Sequence, residues 1–164
     1  SRIVVTWTSG YPSFTNVFNH SFNMEQDMLA SKLLFYSCLP LVNLPGYYLG
    51  AQLRLSLPEM EQWVRGKGAI GDYLYHLYTH NPIYEQRGIE GHFGRTWVIW
   101  DLINIAWLLE PSWVPSQLVL IPTLGDDKRW HHDEKNKHLM LEAYEINRDS
   151  IFRDFFAKLE KAAQ

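Results

Sequence analysis

The sequence predicts an α/β fold, part of an open, mostly parallel sheet flanked by helices, and three observations carry that expectation. The chain enters on a continuous, β-branched apolar run at 3–7, IVVTW, the pattern of a strand buried on both faces of a parallel sheet. A polar loop, a stretch with helical spacing and a second short apolar run, LPLVNLP at 39–45, then follow. Strand, loop, helix, strand is the repeating unit of such a sheet. Later strand patterns, SQLVLIPTL at 116–124 and LMLEAYEI at 139–146, lead into an amphipathic C-terminal helix. A central strand this early suggests that something precedes it.

Each element has a local reason. The first strand, 3–8, stops at Ser9-Gly10-Tyr11-Pro12, a turn signal. The Asn-rich loop SFTNVFNHSFN then leads into a helix over 24–37, where Met28, Leu29, Leu33, Leu34 and Tyr36 recur with helical spacing. Asn23 is placed to cap it, with Gln26 three residues on as in a capping box. Pro58 opens a helix over 58–68, and a second helix over 69–80 ends at Asn81-Pro82. Residues 83–95 are polar and carry Gly88, Gly91 and Gly94, so a mobile surface loop is expected there. VIWDLINIAWLL at 98–109 holds ten apolar residues in twelve and reads as a buried helix closed by Pro111, with Asp101 in its middle. The charged segment GDDKRWHHDEKNKH at 125–138 predicts a hairpin or exposed ribbon. Asn147 or Asp149 then caps a last helix whose apolar face is Ile151, Phe152, Phe155, Phe156 and Leu159.

Composition narrows the function. The 164 residues fit one domain, and the aromatic content of 15% points to a large core, a ligand cleft or a subunit interface. A net charge of −3 without a basic cluster argues against nucleic acid, whose binding rests on cations gathered at phosphates. The single Cys38 excludes an internal disulfide and a cysteine zinc site, and leaves a cytoplasmic or a periplasmic location open. No apolar run reaches the ~20 residues that cross a bilayer, so no membrane partner is expected. There is no phosphate-cradling GxxxxGK[ST], no GxGxxG and no GxSxG. Adjacent His131 and His132 in WHHDE would point to opposite sides of a strand, which suits a solvated turn better than a zinc site.

Two places draw chemistry. Asp101 and Asn104 share one side of their helix, and an ionised carboxylate in a dry interior must be paired or bound to a metal. Asn104 reads as its local hydrogen-bonding partner. The loop offers Asn16, Asn19, His20, Ser21 and Asn23 at the carboxyl end of a parallel strand, the edge where open α/β sheets bind ligands. Asn and Ser would hold hydroxyls by hydrogen bonds and would not move protons. Tyr84, outside the preceding helix, could stack on a flat ring.

The order of IVVTWTSG (3–10), SFNMEQDMLASKLLFYSCLPLVNLP (21–45), IWDLINIAWLLEP (99–111) and YEINRDSIFRDFFAKL (144–159) resembles the C-terminal half of nucleoside hydrolases of the inosine-uridine preferring kind. The resemblance implies a Rossmann-type α/β fold and cleavage of the N-glycosidic bond of ribonucleosides at a calcium ion. It makes Asp101 the implied metal ligand and Asn23 a ribose-hydroxyl ligand. Ser21 stands where the family has a Glu of a Glu-Phe-Asn triplet, and Trp100 stands where it has a His, so Trp100 could stack on a base but not act as an acid. Tyr84 matches an aromatic of the family's active-site loop, and Asn16 lies in the ribose-side loop. No segment matches the family's N-terminal Asp-x-Asp-x-x-x-Asp-Asp cluster, the source of most calcium ligands and of the carboxylate that activates water. One Asp cannot hold a cation that takes six to eight oxygens. The implied partners are therefore the N-terminal half of the same protein, a nucleoside and further copies of the full assembly in a homo-oligomer; the chain alone is expected to be inactive. Without that chemistry, the same scaffold would be a catalytically inactive binding protein.

Overall fold

The computed structural model describes residues 3–37, 39–86, 96–133 and 135–164, with the side chains of residues 84 and 85 outside that set. In chain order it contains β1 (Val5–Thr8), α1 (Phe22–Gln26), α2 (Met28–Tyr36), β2 (Leu41–Leu44), β3 (Arg54–Ser56), α3 (Leu57–Trp63), α4 (Gly68–Thr79), α5 (Pro82–Gln86), β4 (Thr96–Val98), α6 (Leu102–Leu109), β5 (Ser116–Leu120), β6 (Thr123–Leu124), β7 (Trp130–His131), β8 (Leu139–Ala143) and α7 (Arg148–Ala162). These elements form two units: Ser1–Leu53 with Ile99–Asn147, and Arg54–Val98 with Arg148–Gln164. Among the described residues no helix is long and apolar enough to cross a membrane.

The first unit is built on a four-stranded sheet of order β1-β2-β8-β5. β1, β2 and β8 run parallel, and β5 pairs antiparallel with β8. The expected α/β architecture with a mostly parallel sheet is therefore present. β2 is buried along its whole length, in keeping with the continuous apolar run. Met24, Phe35, Leu41, Ile121, Leu124, Trp130 and Met140 form its core cluster. Phe35 of α2 meets Trp7 edge-on at 6.5 Å and Trp130 at 4.7 Å, so α2, β1 and the β6–β7 hairpin share one packed layer.

Several expectations are corrected. β1 lies at the end of this chain's strand order, half-buried, with Ile3 and Val4 exposed just before it. The helix expected over 24–37 is two helices: Asp27, with extended backbone, ends α1 and caps α2 by accepting the Ala30 amide at 2.9 Å. Ser21, not Asn23, caps α1, because Ser21 has the extended backbone of a cap and its Oγ accepts from the Met24 amide. The mobile loop expected from residue 83 begins instead with α5, where Pro82 leads and the Asn81 side chain accepts the Ile83 amide at 3.0 Å; residues 87–95 lie outside those described. The charged segment does form a hairpin, β6 with β7.

The largest correction concerns 98–109. Thr96–Val98 pairs antiparallel with Arg54–Ser56, a two-stranded ribbon the sequence reading did not anticipate. The helix consequently starts at Leu102, and Asp101 sits exposed at its amino end. Of its apolar residues Ile103 and Ala106 are buried, whereas Ile105, Leu108 and Leu109 are exposed, so the helix is not buried all round.

In the second unit α3 begins with a full capping box: the Glu59 amide donates to Ser56 Oγ at 3.3 Å and the Ser56 amide donates to Glu59 Oε2 at 2.7 Å. Arg148, at the start of α7, donates to Glu59 at 2.5 Å and to the Arg54 carbonyl at 2.7 Å. Trp63 stacks on Phe156 at 5.9 Å, and α7 buries Ile151, Phe152 and Leu159 as its spacing predicts. Burial would raise the Glu59 carboxyl, but the bonds from Ser56 and Arg148 outweigh it and hold the group below its ordinary value of 4.5. A depressed folded pKa contributes stability that is present above 4.5 and is lost as the pH falls through the folded value. Glu59→Gln should therefore destabilise the protein by about 1 kcal/mol at neutral pH. Denaturant melts of both proteins should show that gap closing as the pH is taken below 4.5.

Candidate functional site

Because β1 and β2 are parallel with Thr8 paired to Leu44, both chains leave the sheet at one edge. They stay together beyond the strands: the Gly46 amide donates to the Ser9 carbonyl at 3.4 Å and the Tyr47 amide to the Gly10 carbonyl at 3.0 Å. Gly10 holds a positive φ of 54°, and a Cβ there would stand 2.6 Å from Asn19 Oδ1. Only glycine fits the turn, and Asn19 Oδ1 accepts the Tyr11 amide at 2.9 Å across it.

Thr8 is the centre of the edge. Its carbonyl accepts from Asn23 Nδ2 at 2.9 Å, and its hydroxyl accepts from Asn104 Nδ2 at 2.7 Å. Asn104 is tied in turn to Asp101, whose carbonyl accepts the Asn104 amide at 3.1 Å. Asn104 Oδ1 is buried with no hydrogen-bond partner among the described residues. The Asp101 carboxylate makes no capping bond and stands at the amino end of α6. Among the described residues no group of three His, Cys, Asp or Glu side chains could hold a metal ion. Among the described residues no calcium shell is therefore formed: Asp101 offers one carboxylate where a hard cation takes six to eight oxygens.

An aromatic rim borders the same edge. Trp100, 38% exposed, lies against Gly50, where a Cβ would come within 3.4 Å of its ring and 4.0 Å of Thr8 Cγ2. Tyr47 meets Trp100 edge-on at 6.3 Å, and Tyr11 lies 4.8 Å from Tyr47 and 5.9 Å from Tyr48. The Tyr47 hydroxyl donates to the His20 carbonyl, and burial, reinforced by Tyr11 and Glu25, pushes the phenol above its ordinary value.

Asn23, Asp101, Asn104 and Trp100 are thus gathered around Thr8 and Gly50. Ser21 is buried beneath them; its hydroxyl is bonded to Ser9 Oγ and caps α1. Asn16 stands apart on the surface, its carbonyl accepting from Arg129 at 2.6 Å. The backbone of Tyr84 is in α5, and its side chain lies outside those described. Thr8, Tyr11, Tyr47 and Tyr48 were not singled out from the sequence. GYY follows the second strand at the same carboxyl edge as the first loop, and that position is the signal in the sequence that marks the two tyrosines.

No protein-family model matches the sequence, and no curated protein does. Solved structures do: a purine-preferring ribonucleoside hydrolase from Gardnerella vaginalis is similar at TM-score 0.68 and 19% identity, over 98% of this chain and 51% of its own. The chain has a nucleoside hydrolase-like fold. An inosine-uridine preferring nucleoside hydrolase from Bacillus anthracis matches at TM-score 0.67 and 16% identity, over 96% of this chain and 51% of its own. A plant nucleoside hydrolase gives 0.64 and 14%, over 98% and 51%. The chain spans about half the length of each of these structures.

Gly10→Ala should cost about 1–3 kcal/mol, from the left-handed backbone and the contact with Asn19. Thermal unfolding checks this, and the Tyr11 amide should lose its protection from exchange.

Proposed function

We propose that this chain forms the C-terminal portion of a calcium-dependent nucleoside hydrolase, supplying one metal ligand and part of the ribose and base pocket. The observation that carries the reading is the gathering of Asn23, Asp101 and Trp100 at the carboxyl edge of β1, within a nucleoside hydrolase-like fold. Asn23 orients ribose hydroxyls, with Ser21 and Asn16 in the loop behind it. Trp100 offers its exposed ring to the base, with Tyr84 as a second aromatic. Asp101 contributes one oxygen to calcium, and the other carboxylates come from an N-terminal half of the same protein. None of Asn23, Ser21 or Trp100 can take a proton from water near neutral pH, so the general base also belongs to that half. The working protein is a homo-oligomer of the full assembly.

A second reading, a nucleoside-binding protein without turnover, draws support from two positions. Ser21 already commits its hydroxyl to Ser9 and to the cap, and the Trp100 indole cannot protonate a leaving group.

The test is hydrolysis of a panel of purine and pyrimidine ribonucleosides by the full assembly, with and without a calcium chelator. Turnover abolished by the chelator is expected, with Asp101→Ala lowering it by roughly 100-fold or more. Trp100→Ala should raise KM roughly tenfold with less change in kcat, as the loss of one stacked base would. Binding without turnover would establish the second reading, and neither binding nor turnover would overturn both.

A further inference from the structure

Glu142 lies in β8, an interior strand of the first unit's sheet, and is 2% exposed. Its carboxylate has three neutral donors. Oε2 accepts from Asn43 Nδ2 at 2.7 Å and from the Ser13 amide at 3.0 Å, and Oε1 accepts from Ser13 Oγ at 3.0 Å. Asn43 is its register partner on β2 and is itself fully buried. Two buried polar residues on adjacent strands are thus arranged around one loop residue, 129 positions away in sequence from Glu142. An apolar pair would fill the same space without desolvating a charge, so stability does not explain the arrangement. What the carboxylate supplies is a fixed attachment between the sheet and the middle of the 9–21 loop.

The loop is held from its other side by the β6–β7 hairpin and the residue after it. His132 Nε2 donates to the Ser13 carbonyl at 2.8 Å, Trp130 Nε1 to the Tyr11 carbonyl at 3.0 Å, and the Asn19 amide to the Lys128 carbonyl at 2.8 Å. Lys128 also pairs with Glu25 of α1. The loop leads directly into Ser21 and Asn23, so its path decides where Asn23 meets Thr8. We propose that Glu142 is a positioning residue, whose carboxylate, acting through Ser13, sets the loop that presents Asn23 at the strand edge. The consequence for ribose binding rests on the function proposed above; the effect on the loop does not.

The experiment compares wild type, Glu142→Gln, Glu142→Met and Ser13→Ala by amide hydrogen exchange and by calorimetric binding of inosine, both on the full assembly. In Glu142→Met the Tyr11, Ser13 and Asn19 amides should exchange about tenfold faster or more, while β2 and β8 amides change by less than about threefold. Glu142→Gln, which keeps one acceptor oxygen, should fall between. Inosine affinity should weaken in the same order. If loop and strand amides change together, or the loop does not change, Glu142 is a structural group only and the proposal is overturned. Should Glu142→Met fail to fold, Ser13→Ala decides, since it removes one loop bond and leaves the carboxylate in place. A wild type that exchanges as expected but binds no inosine defeats the ribose-pocket reading and leaves the role of Glu142 in the loop intact.

Discussion

Strands that run in the same direction end on the same edge of a sheet, and β1, β2 and β8 do so here with Thr8 opposite Leu44. Parallel strands also need long connections, because the chain must return to the opposite edge before the next strand begins. The polar loop, α1 and α2 provide that return between β1 and β2. The loop after β1 and the tyrosine pair after β2 therefore meet at one edge, and residues far apart in sequence, Asn23 and Asn104, come to share Thr8. The geometry of the candidate site follows from strand direction before any side chain is considered.

Polar satisfaction then determines which loop path is allowed. A loop of mostly polar residues lying against a sheet must find a partner for each buried backbone group. Ser13 finds Glu142 and His132, Tyr11 finds Asn19 and Trp130, and Asn19 finds Lys128. Apart from Asn19, these partners come from β8, from the hairpin and from the residue after it, all more than a hundred residues downstream of the loop. On the exposed side Glu25, bonded to Lys128 and to His20, is held below its ordinary pKa by those bonds. The charged pair is surface chemistry and adds little stability, whereas the buried bonds specify a single arrangement.

The nucleoside hydrolase-like fold and the edge site agree on place but leave the chemistry divided. Groups that can hold hydroxyls and a base are within this chain: Asn23 at the strand edge and the Trp100 ring against Gly50. Groups that could complete a cation shell or take a proton from water are not gathered around Asp101 among the described residues. Among the described residues Asn104 Oδ1 is buried without a hydrogen-bond partner, as are Asn19 Nδ2 in the loop, Asn43 Oδ1 on β2 and Trp7 Nε1 on β1.

Local patterns were sufficient for much of this fold. The parallel α/β class, the buried β2, a hairpin involving the charged segment and the apolar face of α7 could all be read from periodicity and turn residues, because each is decided by neighbours a few positions away. Asp101 and Asn23 could be nominated as site residues from sequence, yet their surroundings could not. VIWDLINIAWLL has the composition of a buried helix, and only the pairing of Thr96–Val98 with Arg54–Ser56 moves the helix start past Asp101 and brings its carboxylate to the surface. Sequence likewise cannot distinguish Glu142 in LMLEAYEI from an exposed strand residue. Its burial and its bonds to Ser13 and Asn43 depend on which strands pair and in what register, and those long-range choices are made only when the chain packs.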